Sequence, residues 1–138
     1  DSLDDLPEVA RAILKKAGDA RILTFTGDLG AGKTTLIQAL CRELGVQENV
    51  ASPTYALAHQ YAYLDRKGHQ QYVHHLDLYR LQDLDEALGI GVEEYLSDPW
   101  YCFIEWPEII EPLLPAEIAK IKIEIAPDSS RKIVLLAE

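Results

Sequence analysis

The stretch that decides the fold of this chain reads Gly27-Asp28-Leu29-Gly30-Ala31-Gly32-Lys33-Thr34. It fits the spacing G-x-x-x-x-G-K-[ST], in which glycines let the backbone wrap around a phosphate and successive N–H groups point at the anion. The apolar, β-branched run 22–26 precedes it and predicts a buried strand. The run 33–44 follows it and predicts a helix, because five apolar residues share one helical face: Leu36, Ile37, Leu40, Cys41 and Leu44. Strand, loop and helix together indicate a phosphate-binding unit rather than a glycine-rich turn that merely precedes a helix.

The motif predicts a role for individual side chains of this unit. We expect Lys33 to reach the β- and γ-phosphates of a nucleoside triphosphate and the Thr34 hydroxyl to ligate Mg²⁺. The predicted nucleotide-binding residues come from the loop and the start of the helix: Gly30, Ala31, Gly32, Lys33, Thr34 and Thr35.

Length and composition limit the classes of protein that fit. The 138 residues predict one domain, 1–138, and 48% hydrophobic residues are enough for a core. A net charge of -10 disfavours strong direct binding to nucleic acid, which needs clustered Lys and Arg. No apolar run is long enough to span a membrane, and the acidic start does not resemble a signal peptide. The two cysteines, Cys41 and Cys102, are expected to be reduced and buried, as in a cytoplasmic protein.

The remaining patterns predict a mixed sheet. Segment 6–16 has the pattern of a helix, 83–96 that of a helix interrupted at 89–91, and 107–115 that of irregular chain or a short helix. Hairpins are predicted at 55–64 with 70–79 and at 119–126 with 132–137, and a strand at 100–106. The fold class expected is α/β, a P-loop NTPase-like domain whose sheet has parallel and antiparallel pairs and is flanked by helices.

Two acidic residues close apolar strands and are candidates for catalysis. Asp77 follows 72–76 and Glu105 follows 101–104. Ligands of open α/β sheets lie beyond the carboxyl ends of the strands, so both acids could help to hold Mg²⁺ or orient water. The alternative is a pair of surface carboxylates at strand ends.

Thr54 lies between the phosphate-loop helix and the next strand, where GTPase-like folds place a switch that senses the γ-phosphate. Its hydroxyl, or that of Ser52, could face Mg²⁺ or water. A simple Ser-Pro-Thr turn explains the same residues equally well.

Other polar and aromatic residues fit structural roles better. His74 and His75 are adjacent on a predicted strand and point to opposite faces, so we expect one in the core and one exposed. Arg80 could stabilise phosphate charge, but an ion pair with Asp83 is the simpler expectation.

Four blocks of this sequence, in order, resemble the TsaE family, formerly called YjeE, over residues 22–108. The blocks are Gly27-Asp28-Leu29-Gly30-Ala31-Gly32-Lys33-Thr34-Thr35, Ser52-Pro53-Thr54-Tyr55, His75-Leu76-Asp77-Leu78-Tyr79-Arg80-Leu81 and Ile104-Glu105-Trp106-Pro107-Glu108. The first block is shared by a vast superfamily, whereas the other three are far more specific.

The resemblance implies a small ATPase of bacterial tRNA threonylcarbamoyladenosine synthesis. Such proteins bind ATP with Mg²⁺, hydrolyse it slowly alone, and work with TsaD and TsaB, so that tRNA is met only through the complex. By resemblance Lys33, Thr54, Asp77 and Glu105 are the catalytic residues, Thr34 and Glu105 hold the metal, and Trp106 is an aromatic near the site. No guanine-reading Asn-Lys-x-Asp motif is present, which agrees with ATP.

Two other functions use the same loop. A small-molecule kinase would need an acceptor site and usually an arginine-rich lid, and neither is apparent. A nucleotide-dependent binding module would use ATP to shape a partner surface, with incidental turnover. We expect any partner surface to include 52–54 and the mouth of the nucleotide site.

Overall fold

A six-stranded sheet organises the protein in this computed structural model, which describes residues 6–27, 32–47, 58–125, 127 and 131–137. The strands are β1 Ile22–Thr26, β2 Ala58–Leu64, β3 Gln70–Asp77, β4 Tyr101–Glu105, β5 Ala119–Ile125 and β6 Arg131–Ala137. Their order is β2-β3-β4-β1-β5-β6, with β3, β4, β1 and β5 parallel. The edge strands β2 and β6 are antiparallel to their neighbours, as the two predicted hairpins require. The mixed sheet predicted from the sequence is therefore confirmed.

Helices cover both faces of the sheet. They are α1 Leu6–Ala17, α2 Lys33–Leu44, α3 Leu84–Gly89, α4 Val92–Ser97 and a 3-10 helix at Pro107–Leu113. The interruption predicted at 89–91 divides α3 from α4, and Gly91 lies there with a left-handed φ of 79°. Asp83 accepts a hydrogen bond from the Glu86 amide at 3.0 Å and so caps α3. None of the described helices has the length and apolar character that crossing a membrane requires.

Alternate side chains of the strands pack into two hydrophobic cores, one on each face of the sheet. In β1, Leu23 and Phe25 face α1 and α2, whereas Ile22 faces the side covered by α3, α4 and the 3-10 helix. The first core includes the predicted apolar face of α2, with Leu36, Ile37, Leu40 and Cys41 buried. The central parallel strands β1 and β4 are covered on both sides, so their sequences are almost continuously apolar, whereas β5 alternates buried and exposed residues.

The prediction that one of the adjacent histidines is exposed is wrong. His74 is 3% exposed and His75 is 0% exposed. They do point to opposite faces, but β3 is an interior strand with packed elements on each side. His74 Nε2 lies 2.7 Å from an Asp98 carboxylate oxygen, and His75 Nε2 lies 2.7 Å from Glu105 Oε2. Each buried imidazole therefore has a carboxylate partner.

Candidate nucleotide-binding site

Three strands end where one helix begins. Glu105, the last residue of β4, lies in register with Phe25 on β1 and with Asp77 at the end of β3. Helix α2 begins beside them at Lys33. This is the carboxyl edge of the parallel strands, where α/β sheets bind ligands.

Thr34 and Glu105 are joined by hydrogen bonds. The Thr34 hydroxyl lies 2.9 Å from Glu105 Oε2 and 3.2 Å from Oε1. Glu105 is only 3% exposed. A buried carboxylate is costly unless its oxygens are hydrogen-bonded, so this contact helps to stabilise the acid at the start of α2.

The Lys33 ammonium is held by the first residue of the phosphate-binding motif and by an aromatic ring. Lys33 is 5% exposed, and its Nζ donates a hydrogen bond of 2.6 Å to the Gly27 carbonyl. The same Nζ lies 4.0 Å from the centre of the Trp106 ring, a cation–π distance. Gly32, just before α2, has φ of 103°, a left-handed conformation that a side chain would strain. The chain thus delivers a buried cation to the helix N-terminus.

Trp106 places its ring beside this cation through an unusual backbone. It has φ of 58° and ψ of 60°, a left-handed conformation that is rare outside glycine, and Pro107 begins the 3-10 helix directly after it. The Tyr79 ring lies 4.9 Å from that of Trp106, and Tyr79 is 55% exposed. The two aromatics therefore form a partly open wall next to Lys33.

Asp77 lies beside Glu105 in the sheet. It is half-buried, and its Oδ1 accepts a hydrogen bond of 3.1 Å from the Tyr79 amide. The Glu105 carbonyl accepts a hydrogen bond of 3.1 Å from the Leu78 amide, and this bond holds the two strand ends together. The structure thus brings together the two acids that the sequence singled out.

His75 belongs to this site and was missed by the sequence reasoning as a site residue. The sequence contained only part of the signal for this. Residues two apart on a strand share a face, so His75 faces the same side as Asp77. What the sequence could not show is that β4 lies next to β3 and brings Glu105 to that face.

Some predicted residues lie outside the described part of the chain. These are Gly30 and Ala31 in the loop, and Ser52 and Thr54 in the switch-like segment. Gly32, Lys33, Thr34 and Thr35 are described and lie at the start of α2, with Thr35 exposed. Among the described residues no cluster of three or more His, Cys, Asp and Glu could hold a metal ion. The metal ligands predicted, Thr34 and Glu105, are a two-oxygen set within hydrogen-bond distance.

A separate cleft of about 640 Å³ lies at the opposite edge of the sheet. Its walls include Arg21 before β1, Tyr72 near the start of β3, and Tyr101 at the start of β4. The Arg21 guanidinium lies 5.0 Å over the Tyr101 ring. This cleft lies at the amino ends of the parallel strands, so it is not part of the Lys33–Glu105 site.

Comparison with known proteins shows the family of this chain. The family model described as "Threonylcarbamoyl adenosine biosynthesis protein TsaE" matches residues 1–133. A Bacillus subtilis protein named "tRNA threonylcarbamoyladenosine biosynthesis protein TsaE" is 37% identical over 137 residues, covering 95% of this chain and 81% of its own. A Haemophilus influenzae protein of the same name is 36% identical over 130 residues, covering 94% of this chain and 78% of its own.

A solved structure shows the same fold. The crystal structure of Bacillus subtilis YdiB is similar with a TM-score of 0.69 and 32% sequence identity, over 95% of this chain and 80% of that one. Both the family model and these two relatives match nearly all of the sequence. On these grounds the chain belongs to the TsaE family.

Proposed function

We propose that this protein is a single-domain, Mg²⁺-dependent ATPase that serves the threonylcarbamoyl modification of the tRNA adenosine next to the anticodon. Its family and its named relatives belong to that biosynthesis. The observation that carries the ATPase proposal is the contact between the Thr34 hydroxyl and the buried Glu105 carboxylate, 2.9 Å long, beside Lys33.

The donor set at this contact fits Mg²⁺. A hydroxyl and a carboxylate are hard oxygen ligands, and Mg²⁺ sites in nucleotide enzymes use one or two such groups together with phosphate oxygens. When bound, the ion would neutralise part of the triphosphate charge. Thr34 and Glu105 are the residues that would hold it, either directly or through water.

Three side chains of the protein are assigned to phosphate binding, water orientation and γ-phosphate sensing. Lys33 supplies the buried positive charge for the β- and γ-phosphates, leaving its present partners, the Gly27 carbonyl and the Trp106 ring. Asp77, at the neighbouring strand end, is the candidate to orient the attacking water. Thr54 is proposed to sense the γ-phosphate from the switch-like segment.

The acidic chain supports an indirect role toward tRNA. With 23 acidic and 13 basic residues, it repels a phosphate backbone rather than attracting it. We therefore propose that it acts through TsaD and TsaB, the transfer subunits with which its family works, and that ATP turnover drives or resets that assembly.

The test is steady-state ATP hydrolysis with and without TsaD–TsaB, on the wild type and on Glu105→Ala. We expect slow hydrolysis by the wild type alone, stimulation by the partners, and loss of both in the variant. Absence of stimulation would contradict the role in the assembly. Phosphate transferred to a metabolite rather than to water would identify a kinase instead.

A further inference from the structure

We propose that His75 is a positioning residue that fixes the Glu105 carboxylate for the metal-linked part of nucleotide binding. The inference rests on the proposed function and deepens it. His75 Nε2 lies 2.7 Å from Glu105 Oε2, and the side chains are 0% and 4% exposed. A group that touches a ligand in this way orients the ligand without itself contacting substrate.

The two oxygens of Glu105 are not equivalent. Oε2 accepts from both His75 at 2.7 Å and Thr34 at 2.9 Å, whereas the contact of Oε1 with Thr34 is longer, 3.2 Å. Among the described residues Oε1 has no other hydrogen-bond donor. His75 therefore anchors one oxygen and leaves the other available to the nucleotide site.

The donor role of His75 follows from its partners. An ionised carboxylate only accepts hydrogen bonds, so Nε2 must carry the hydrogen that it shares with Glu105. Nδ1 is buried and has no hydrogen-bond partner among the described residues. A hydrogen on that nitrogen would be buried and unsatisfied, which favours the Nε2–H tautomer.

The location of His75 makes this contact rigid. It stands on interior strand β3, in register with buried Phe103 on β4, and two residues before Asp77. A side chain with no exposed surface cannot swing aside without opening the core. The anchor therefore restrains the rotation of Glu105 before any nucleotide binds.

His74 provides a matched control on the same strand. It is also buried, and its Nε2 lies 2.7 Å from an Asp98 oxygen. It faces the opposite side of the sheet and packs against Tyr95, 5.0 Å between ring centres. Replacing it removes a buried imidazole that bonds to a carboxylate, that of the 29%-exposed Asp98 side chain, without touching Glu105.

The experiment measures how Mg²⁺ supports binding of a non-hydrolysable ATP analogue by the full chain, using calorimetry. The variants are His75→Phe, which keeps a ring but removes the donor, His75→Gln, which keeps an N–H donor, and His74→Phe as control. We expect His75→Phe to raise the half-saturating Mg²⁺ concentration by about 10- to 100-fold, the usual effect of losing a partner that orients a ligand. Analogue affinity without Mg²⁺ should stay unchanged, and His75→Gln should recover most of the loss.

Three outcomes would overturn the proposal. One is a folded His75→Phe protein with the Mg²⁺ dependence of the wild type, and another is an equal shift in His74→Phe, which would indicate general loosening. The third is analogue binding by the wild type that does not depend on Mg²⁺. A wild type that binds no ATP analogue at all is a different result, because it contradicts the proposed function itself.

A second measurement applies even where His75→Phe does not fold. NMR of wild-type protein with labelled imidazole nitrogens should show His75 protonated at Nε2 and bare at Nδ1. Glu105→Gln should move the His75 signals and leave those of His74 in place. A His75 hydrogen on Nδ1, or signals indifferent to Glu105→Gln, would contradict the anchor.

Discussion

At the scale of single residues, the site depends on a buried carboxylate that is hydrogen-bonded by two side chains. Glu105 is 3% exposed and is contacted by the Thr34 hydroxyl and the His75 imidazole. Loss of one donor leaves part of a buried charge unsatisfied, which costs more than an ordinary surface hydrogen bond contributes. Stability and function are therefore coupled at this residue.

Thr34→Val removes the hydroxyl while nearly preserving the shape of the side chain. Because the hydroxyl bonds to a charged, buried group, we expect the free energy of unfolding to fall by about 2 kcal/mol. Urea denaturation of wild type and variant measures this. Thr34→Ser, which keeps the hydroxyl, should lose much less. Equal losses in both variants would show that the methyl group, not the contact with Glu105, matters.

The cysteine thiols should be inert in the folded protein. Cys41 is 0% exposed, and burial raises its pKa from 9.0 to about 12; burial also raises the pKa of Cys102. The thiolate is the reactive form, so a disulfide reagent near neutral pH should label neither thiol until the protein unfolds. Rapid labelling of the native protein would contradict this environment.

The same shift predicts a direction for alkaline stability. The folded pKa of Cys41 lies above the unfolded one, so the unfolded chain loses the proton first. The raised pKa of the Cys41 thiol therefore stabilises the folded state fully below pH 9, and this stabilisation is lost as the pH rises toward 12. Denaturation across that range should show stability falling, with Cys41→Ala showing a weaker fall; equal slopes would disprove the contribution.

At the scale of elements, local pattern predicted most of the helices and strands. Period-2 alternation in β5 and the apolar face of α2 are strong signals, and both elements are present at the expected places. The break at 89–91 was also visible, since glycines interrupt a helical pattern. Its cause is more specific than composition: Gly91 adopts a left-handed φ of 79° as α4 begins.

This break can be tested with two neighbouring glycines. A Cβ added at either Gly89 or Gly91 would meet nothing within 4 Å, but only Gly91 has a positive φ. Gly91→Ala should therefore lower the free energy of unfolding by about 1 kcal/mol through backbone strain alone. Gly89→Ala should leave it unchanged or raise it by about 0.5 kcal/mol. Thermal unfolding of both proteins measures the difference, and the same loss in both would refute the strain argument.

At the scale of the whole molecule, strand order decides what the sequence alone could not. The pattern predicted that Asp77 and Glu105 each end a strand, but not that β3 and β4 are neighbours. Asp77 and Glu105 are 28 positions apart in the sequence. The pairing of their strands depends on the crossover through α3 and α4, which no local pattern encodes. For that reason the two acids were predicted, whereas the contact of His75 with Glu105 and the burial of both histidines were not.

The most direct test of the proposed ATPase site is phosphate release from ATP with Mg²⁺ by wild type, Glu105→Gln and Glu111→Gln. Both variants lose one negative charge, but Glu111 is an exposed residue of the 3-10 helix. A fall in kcat of about 100-fold is expected in Glu105→Gln, the upper end of what losing a group at a metal site costs, and no change is expected in Glu111→Gln. Wild-type turnover in folded Glu105→Gln would show that the Thr34–Glu105 contact is not the core of an ATPase site.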